Sequence, residues 1–137
     1  MHEIVVRRRI EFADTDMGGI VHFSRFFVFM ETAEHRFLEA VGTNVTAKHE
    51  GRTLGWPRVA ASCEYRSPVR FGDTLDIRVR VRRKGTRSMT YAFAFERDGQ
   101  VIAEGSMTSV CCVLEPGSDV HSIPIPEHIA SRIEEAP

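Results

Sequence analysis

One run of residues constrains the fold more than any other. From about Ser24 to Val41, the residues Phe26, Phe29, Met30, Ala33, Phe37, Leu38 and Val41 fall three or four positions apart, and Gly42 follows as a stop. This is the only long helical period in the chain of 137 residues. Its phenylalanines cover a wide arc, so the helix is expected to lie buried against a sheet. Residues 3–12 alternate, with Ile4, Val6, Ile10 and Phe12 on one face and Glu3, Arg7, Arg9 and Glu11 largely on the other, which predicts a half-buried strand. The segment Thr43 to Glu50 has room for one or two helical turns. Beyond it, residues 59–67, 74–83, 88–97 and 101–114 all show strand length or alternation. The clearest case sets Leu75, Ile77, Val79 and Val81 against Asp76, Arg78, Arg80 and Arg82. Asp98-Gly99 predicts a hairpin turn, Gly85 another, and Pro126 to Glu135 a short C-terminal helix.

Too little chain separates the later strands for parallel crossovers. The order of one strand, a long helix and four strands therefore predicts an antiparallel meander whose concave face covers the helix. The expectation is an α+β wrapped-helix fold, with residues 1–137 as one domain. Such a sheet keeps an edge strand, and pairing between two copies would cover it, giving a homo-oligomer.

Charge narrows the partners. Lys and Arg number 18 against 19 Asp and Glu, a net charge of -1, so nothing drives the whole chain toward nucleic acid. No stretch approaches the roughly 18 to 20 apolar residues of a bilayer span, and MHEIVVRRRIEF lacks a signal peptide's apolar run. A cytoplasmic protein without a membrane partner is expected. Cys63, Cys111 and Cys112 include no CxxC, and the adjacent pair would face opposite sides of a strand, so reduced structural thiols are expected.

The densest polar cluster lies between the first strand and the helix: Asp14, Asp16, Gly18, Gly19 and His22. A carboxylate just before a helix faces backbone N–H groups without intrahelical partners, and the same donors can hold a substrate oxyanion. A reactive carboxylate beside an oxyanion hole suits acyl transfer. The plainer reading is that the two aspartates turn the chain or cap the helix. Glu31 and His35, four apart on one helical face, are either two metal ligands or an ion pair; the lack of further ligands at a recognisable spacing favours the pair. Arg82, Arg83, Lys84 and Arg87 form the one concentrated basic patch, at a predicted turn, and read either as a solvated hairpin or as a phosphate-binding rim.

The stretch EFADTDMGGIVHFSRFFVFMETAEHRFLEAVG, with its D-x-D-x-x-G-x-V spacing, resembles the opening of the 4-hydroxybenzoyl-CoA thioesterase family of hotdog-fold acyl-CoA hydrolases. EYRSPVRFGDTL resembles the same family's strand-turn-strand segment, and the likeness spans nearly the whole chain. The resemblance implies a hotdog fold and hydrolysis of an acyl-CoA to an acid and free CoA, with no metal or redox cofactor. It places the catalytic aspartate on Asp16, as nucleophile or general base, and the oxyanion donor on the backbone N–H of Phe23. Gly18 and Gly19 would let the thioester approach, and Asp14 would be mainly structural. His22 would orient water, bond to Asp16 or fill the pocket mouth. Phe26 and Phe27 would line an acyl channel between subunits, and Glu31 its helix side. Arg82, Arg83, Lys84 and Arg87 would hold the CoA phosphates, and the assembly would be a dimer or tetramer. His22 and Phe23 stand where the 4-hydroxybenzoyl-specific members look to carry tryptophan and tyrosine, a departure that points away from that acyl group. Two alternatives remain: a thioesterase for acyl-carrier-protein substrates, and a non-catalytic acyl-CoA-binding module.

Overall fold

The protein is described by a computed structural model covering residues 1–117 and 119–137. In chain order it forms β1 (Glu3–Arg9), a 3-10 turn (Phe12–Asp14), α1 (Arg25–Ala40), β2 (Lys48–His49), β3 (Arg52–Gly55) and β4 (Arg58–Tyr65). Then follow β5 (Thr74–Lys84), β6 (Ser88–Arg97), β7 (Gln100–Val110), β8 (Cys112–Val113), β9 (His121–Ser122) and α2 (Glu127–Ala130). Five strands make one antiparallel sheet in the order β1-β5-β6-β7-β4, and β2-β3-β8-β9 make a small second sheet. Among the described residues no helix is long and apolar enough to cross a membrane.

Helix α1 buries Phe26, Phe29, Met30, Ala33, Phe37 and Leu38. The facing sheet supplies Leu75, Ile77, Val79 and Val81 from β5 and Tyr91, Phe93 and Phe95 from β6, all buried. The alternation in β5 therefore does what it predicts: the apolar set faces the helix and the charged set faces outward. Close approach needs Gly105 in β7, where a Cβ would stand 2.5 Å from Met30 Sδ.

Three local expectations are corrected. The first strand ends at Arg9, and the 3-10 turn rotates Phe12 outward, 76% exposed and edge-on to Phe71 at 5.8 Å. Thr43 to Glu50 makes turns and β2 and no helix, because Asn44 Oδ1 accepts from both the Thr46 N–H and its hydroxyl, a local bond that competes with helix. The run 101–114 breaks at Cys111, whose N–H donates to Arg87 O while its carbonyl accepts from Ile123 N–H. There the chain leaves the large sheet for the small one. Both neighbouring thiols are buried where the sheets meet, and burial followed by the Cys112 neighbour pushes Cys111 up to about 11.

The two edges of the large sheet differ. Edge strand β1 carries Arg7 and Arg9 and is laced to β5 by ion pairs of Arg7 with Asp76 and Glu3 with Arg78. Edge strand β4 exposes Val59, Ala60, Ala61 and Ser62 in succession, with no lysine or proline to blunt pairing.

Candidate active site

The site is built where β1 hands over to α1. Asp14 is 1% exposed, accepts the Glu11 N–H at 2.9 Å, and receives Arg25 at 2.8 and 3.0 Å and Arg8 at 3.3 Å. Burial alone would raise its pKa, but the Glu11 N–H and the two guanidinium groups outweigh burial and hold the carboxyl below its usual range. This acid ties the first strand, the loop and the start of the helix together. It is spent on structure.

Asp16 lies two residues on and is exposed. Its N–H donates to Ile20 O at 3.1 Å, its carbonyl accepts from Gly19 N–H at 3.0 Å, and its Oδ1 accepts from Gly18 N–H at 2.8 Å. Both glycines have a physical reason. A Cβ on residue 18 would come within 3.0 Å of Asp16 Oδ1, and Gly19 sits at φ +80°, the left-handed region. Past this tight loop the amides fall into a pattern. Val21 N–H donates to Val69 O at 2.7 Å, His22 N–H to Asp14 O at 2.9 Å, Ser24 N–H to His22 Nδ1 at 3.3 Å and Arg25 N–H to His22 O at 2.9 Å. The Phe23 N–H, in the middle of the series, has no acceptor among the described residues.

Asp16 and Phe23 share the wall of a cavity of about 430 Å³ with Phe26, Tyr65, Pro68 and Val69. The structure thus brings Asp16, Phe23 and one of the two expected acyl-channel phenylalanines, Phe26, to one cavity. Phe27 is half-buried against the core and is not on this wall. His22 holds Ser24 Oγ at 2.7 Å through Nδ1 and stacks on the Phe23 ring at 4.6 Å, so it braces the loop beside Asp16.

Other candidates stand apart in this chain. The Glu31–His35 pair does not form; Glu31 reaches Arg58 at 3.6 Å instead, in a groove shared with His35 and Trp56. The strand residue competes successfully because Arg58 also serves the buried Glu34 one turn away. At the β5–β6 turn only part of the basic patch is free. Lys84 Nζ donates to Ala130 O at 3.1 Å and Ile133 O at 2.9 Å, and Arg87 donates to Ser122 O at 2.7 Å. Both cations fasten later chain segments, which a count of charges at a turn does not reveal. Arg82 and Arg83 remain exposed. The sequence reading also missed Tyr65, whose hydroxyl donates to Phe23 O at 2.8 Å, and the loop that follows it.

Residues 10–133 match the Thioesterase-like superfamily, and the chain belongs to it. The sheet wrapped on one helix is the hotdog fold of these proteins. A 1,4-dihydroxy-2-naphthoyl-CoA hydrolase of Prochlorococcus marinus (strain MIT 9313) is 25% identical over 131 residues, covering 85% of this chain and 87% of that one. A structure of a gentisyl-coenzyme A thioesterase superposes with a TM-score of 0.84 at 29% identity, over 94% of this chain and 98% of the other. The 4-hydroxybenzoyl CoA thioesterase of Pseudomonas sp. strain CBS-3 shares the fold with a TM-score of 0.83 at 18% identity, over 96% and 99%.

Proposed function

We propose that the protein hydrolyses an acyl-CoA thioester to a carboxylic acid and free CoA. The observation that carries this reading is an unengaged backbone donor, the Phe23 N–H, on a residue that lines the same cavity as the exposed Asp16. With the thioester carbonyl at the Phe23 N–H, the developing oxyanion gains a fixed donor beside the start of α1. Asp16 then either attacks the carbonyl carbon, expelling CoA thiolate and leaving a mixed anhydride for water to cleave, or removes a proton from the water that attacks. Each route ends with the C–S bond broken and one oxygen from water in the products.

The cavity's aromatic walls, Phe23, Phe26 and Tyr65, favour an aryl acyl group, and the hydroxyarenecarboxyl-CoA thioesters in the names of the relatives point the same way. A panel of aryl and straight-chain acyl-CoA esters, the same acyl groups on an acyl carrier protein, and short pantetheine thioesters is the test, read by thiol release. Aryl-CoA esters are expected to give the highest kcat/KM. Raising salt is expected to raise KM for CoA esters alone, since exposed Arg82 and Arg83 would meet the nucleotide phosphates. Preference for carrier-protein esters would move the basic rim to a protein partner, and binding without turnover would overturn the hydrolase.

The assembly we propose joins two copies through β4, the unguarded edge, into one continuous sheet. Val59 is 65% exposed at the register shift between Arg58 and Ala60, and Ala61 is exposed just beyond it. The double substitution Val59→Lys/Ala61→Lys is expected to convert dimers or tetramers to monomers in light scattering and to depress activity with them. A wild-type monomer of full activity would contradict a site shared between chains.

A further inference from the structure

The geometry points to Tyr65 as a positioning residue of the oxyanion site: its hydroxyl holds the Phe23 carbonyl, in the peptide next to the one that carries the Phe23 N–H, and so restrains rotation at residue 23 and keeps that N–H placed for the reacting carbonyl. The inference rests on the reading of that N–H as the oxyanion donor. Tyr65 ends β4 opposite Ala103 of β7, so its backbone is anchored in the large sheet. From there the hydroxyl crosses 42 positions of sequence to donate to Phe23 O at 2.8 Å. Its ring meets Phe26 edge-on at 5.1 Å, which fixes the direction from which the hydroxyl arrives.

The surrounding bonds show what this contact adds. Residue 21 is held by Val69 O, residue 22 by Asp14 O through its N–H and by Arg25 N–H through its carbonyl. The last of these holds, from its carbonyl side, the His22–Phe23 peptide that carries the Phe23 N–H. The next peptide, Phe23 to Ser24, is otherwise tied only through the Ser24 N–H, at a long 3.3 Å to His22 Nδ1. Tyr65 supplies the short bond on its carbonyl side. Without it, rotation at residue 23 would be restrained by that long contact and by the helix start alone. A preorganised donor loses its advantage when it must be reoriented at the moment of reaction.

A purely structural role fits less well. Phe23 is 64% and Tyr65 45% exposed, and a hydrogen bond between such groups adds little to folding. Burial, then the neighbouring Cys63 thiol, push the phenol up to about 12, so it stays a donor throughout any ordinary assay range.

Tyr65→Phe keeps the ring against Phe26 and deletes the hydroxyl. It is expected to melt like the wild type, to lower kcat on the order of tenfold with KM little changed, and to shift the carbonyl ¹³C resonance of Phe23. The same loss is expected for a thioester whose leaving thiol has a low pKa, because the hydroxyl is not asked to protonate the leaving group. Unchanged kcat, a loss confined to KM, or a loss that vanishes with the low-pKa leaving thiol would each overturn the assignment, the last by making Tyr65 a general acid. Tyr65→Met, apolar and without a hydroxyl, gives the same reading should the phenylalanine variant fail to fold. A wild-type chain inactive on every thioester would overturn the hydrolase reading itself, an outcome separate from an active wild type indifferent to Tyr65→Phe.

Discussion

Asp16→Asn is expected to keep the wild-type melting temperature and to lower kcat by at least about a hundredfold, because it deletes the group acting as nucleophile or base. The side chain is exposed and its one structural bond is the Gly18 N–H to Oδ1 at 2.8 Å, which an asparagine oxygen accepts equally well. What disappears is the negative charge and the basic oxygen. Asp14→Asn is the contrasting control. That carboxylate is buried, faces two guanidinium groups and has no free direction toward the cavity, so its loss falls on stability. Circular dichroism and steady-state kinetics on the two variants separate the roles. An Asp16→Asn enzyme that turned over a good substrate at close to the wild-type rate would remove Asp16 from the chemistry.

The difference between the two aspartates shows what local sequence carries and what it does not. Helix α1 is legible because 16 consecutive residues repeat one period, and β5 and β6 because their alternation faces a helix on one side only. The tight loop is legible from its two glycines, one at positive φ and the other pressed on Asp16. Contacts made across the fold are not. The Tyr65 hydroxyl meets a carbonyl 42 positions away and Ser109 meets Glu34 across 75, separations over which no periodicity carries information. The same holds for Lys84, whose ammonium looks free in the run Arg82 to Lys84 until the C-terminal segment folds back over it. The break at Cys111 is set by a change of partner sheet, not by any turn residue, so the apolar pattern runs through it unmarked.

Arg58→Met is expected to produce the largest loss of stability of any single change argued for this chain. Glu34, 1% exposed on the inner face of α1, holds Arg58 at 2.6 Å through one oxygen and the Ser109 hydroxyl at 2.6 Å through the other. Removing one member of a buried pair leaves the other uncompensated and costs about 3–5 kcal/mol. For a chain of this size that lowers Tm by on the order of 10 °C or more. The pH dependence identifies the cause. Burial already raises the Glu34 carboxyl, against the Ser109 bond and the Arg58 charge, and removing Arg58 raises it further. A carboxyl whose folded pKa exceeds its unfolded value binds its proton more tightly when folded, so its stability is fully present below the unfolded pKa and lost as pH rises toward the folded one. The deficit of Arg58→Met is therefore expected to be small near about pH 4 and to grow toward neutrality. Asp14, shifted the opposite way, is lost only as pH falls below the ordinary carboxylate range, and it contributes alike to both proteins. Adding Glu34→Met to Arg58→Met is expected to recover much of the loss, since the orphaned acid goes with it. Melting curves for the wild type and both variants across that pH range test the account, and a deficit independent of pH would mean that lost packing of the arginine stem, not an unpaired carboxylate, sets the cost.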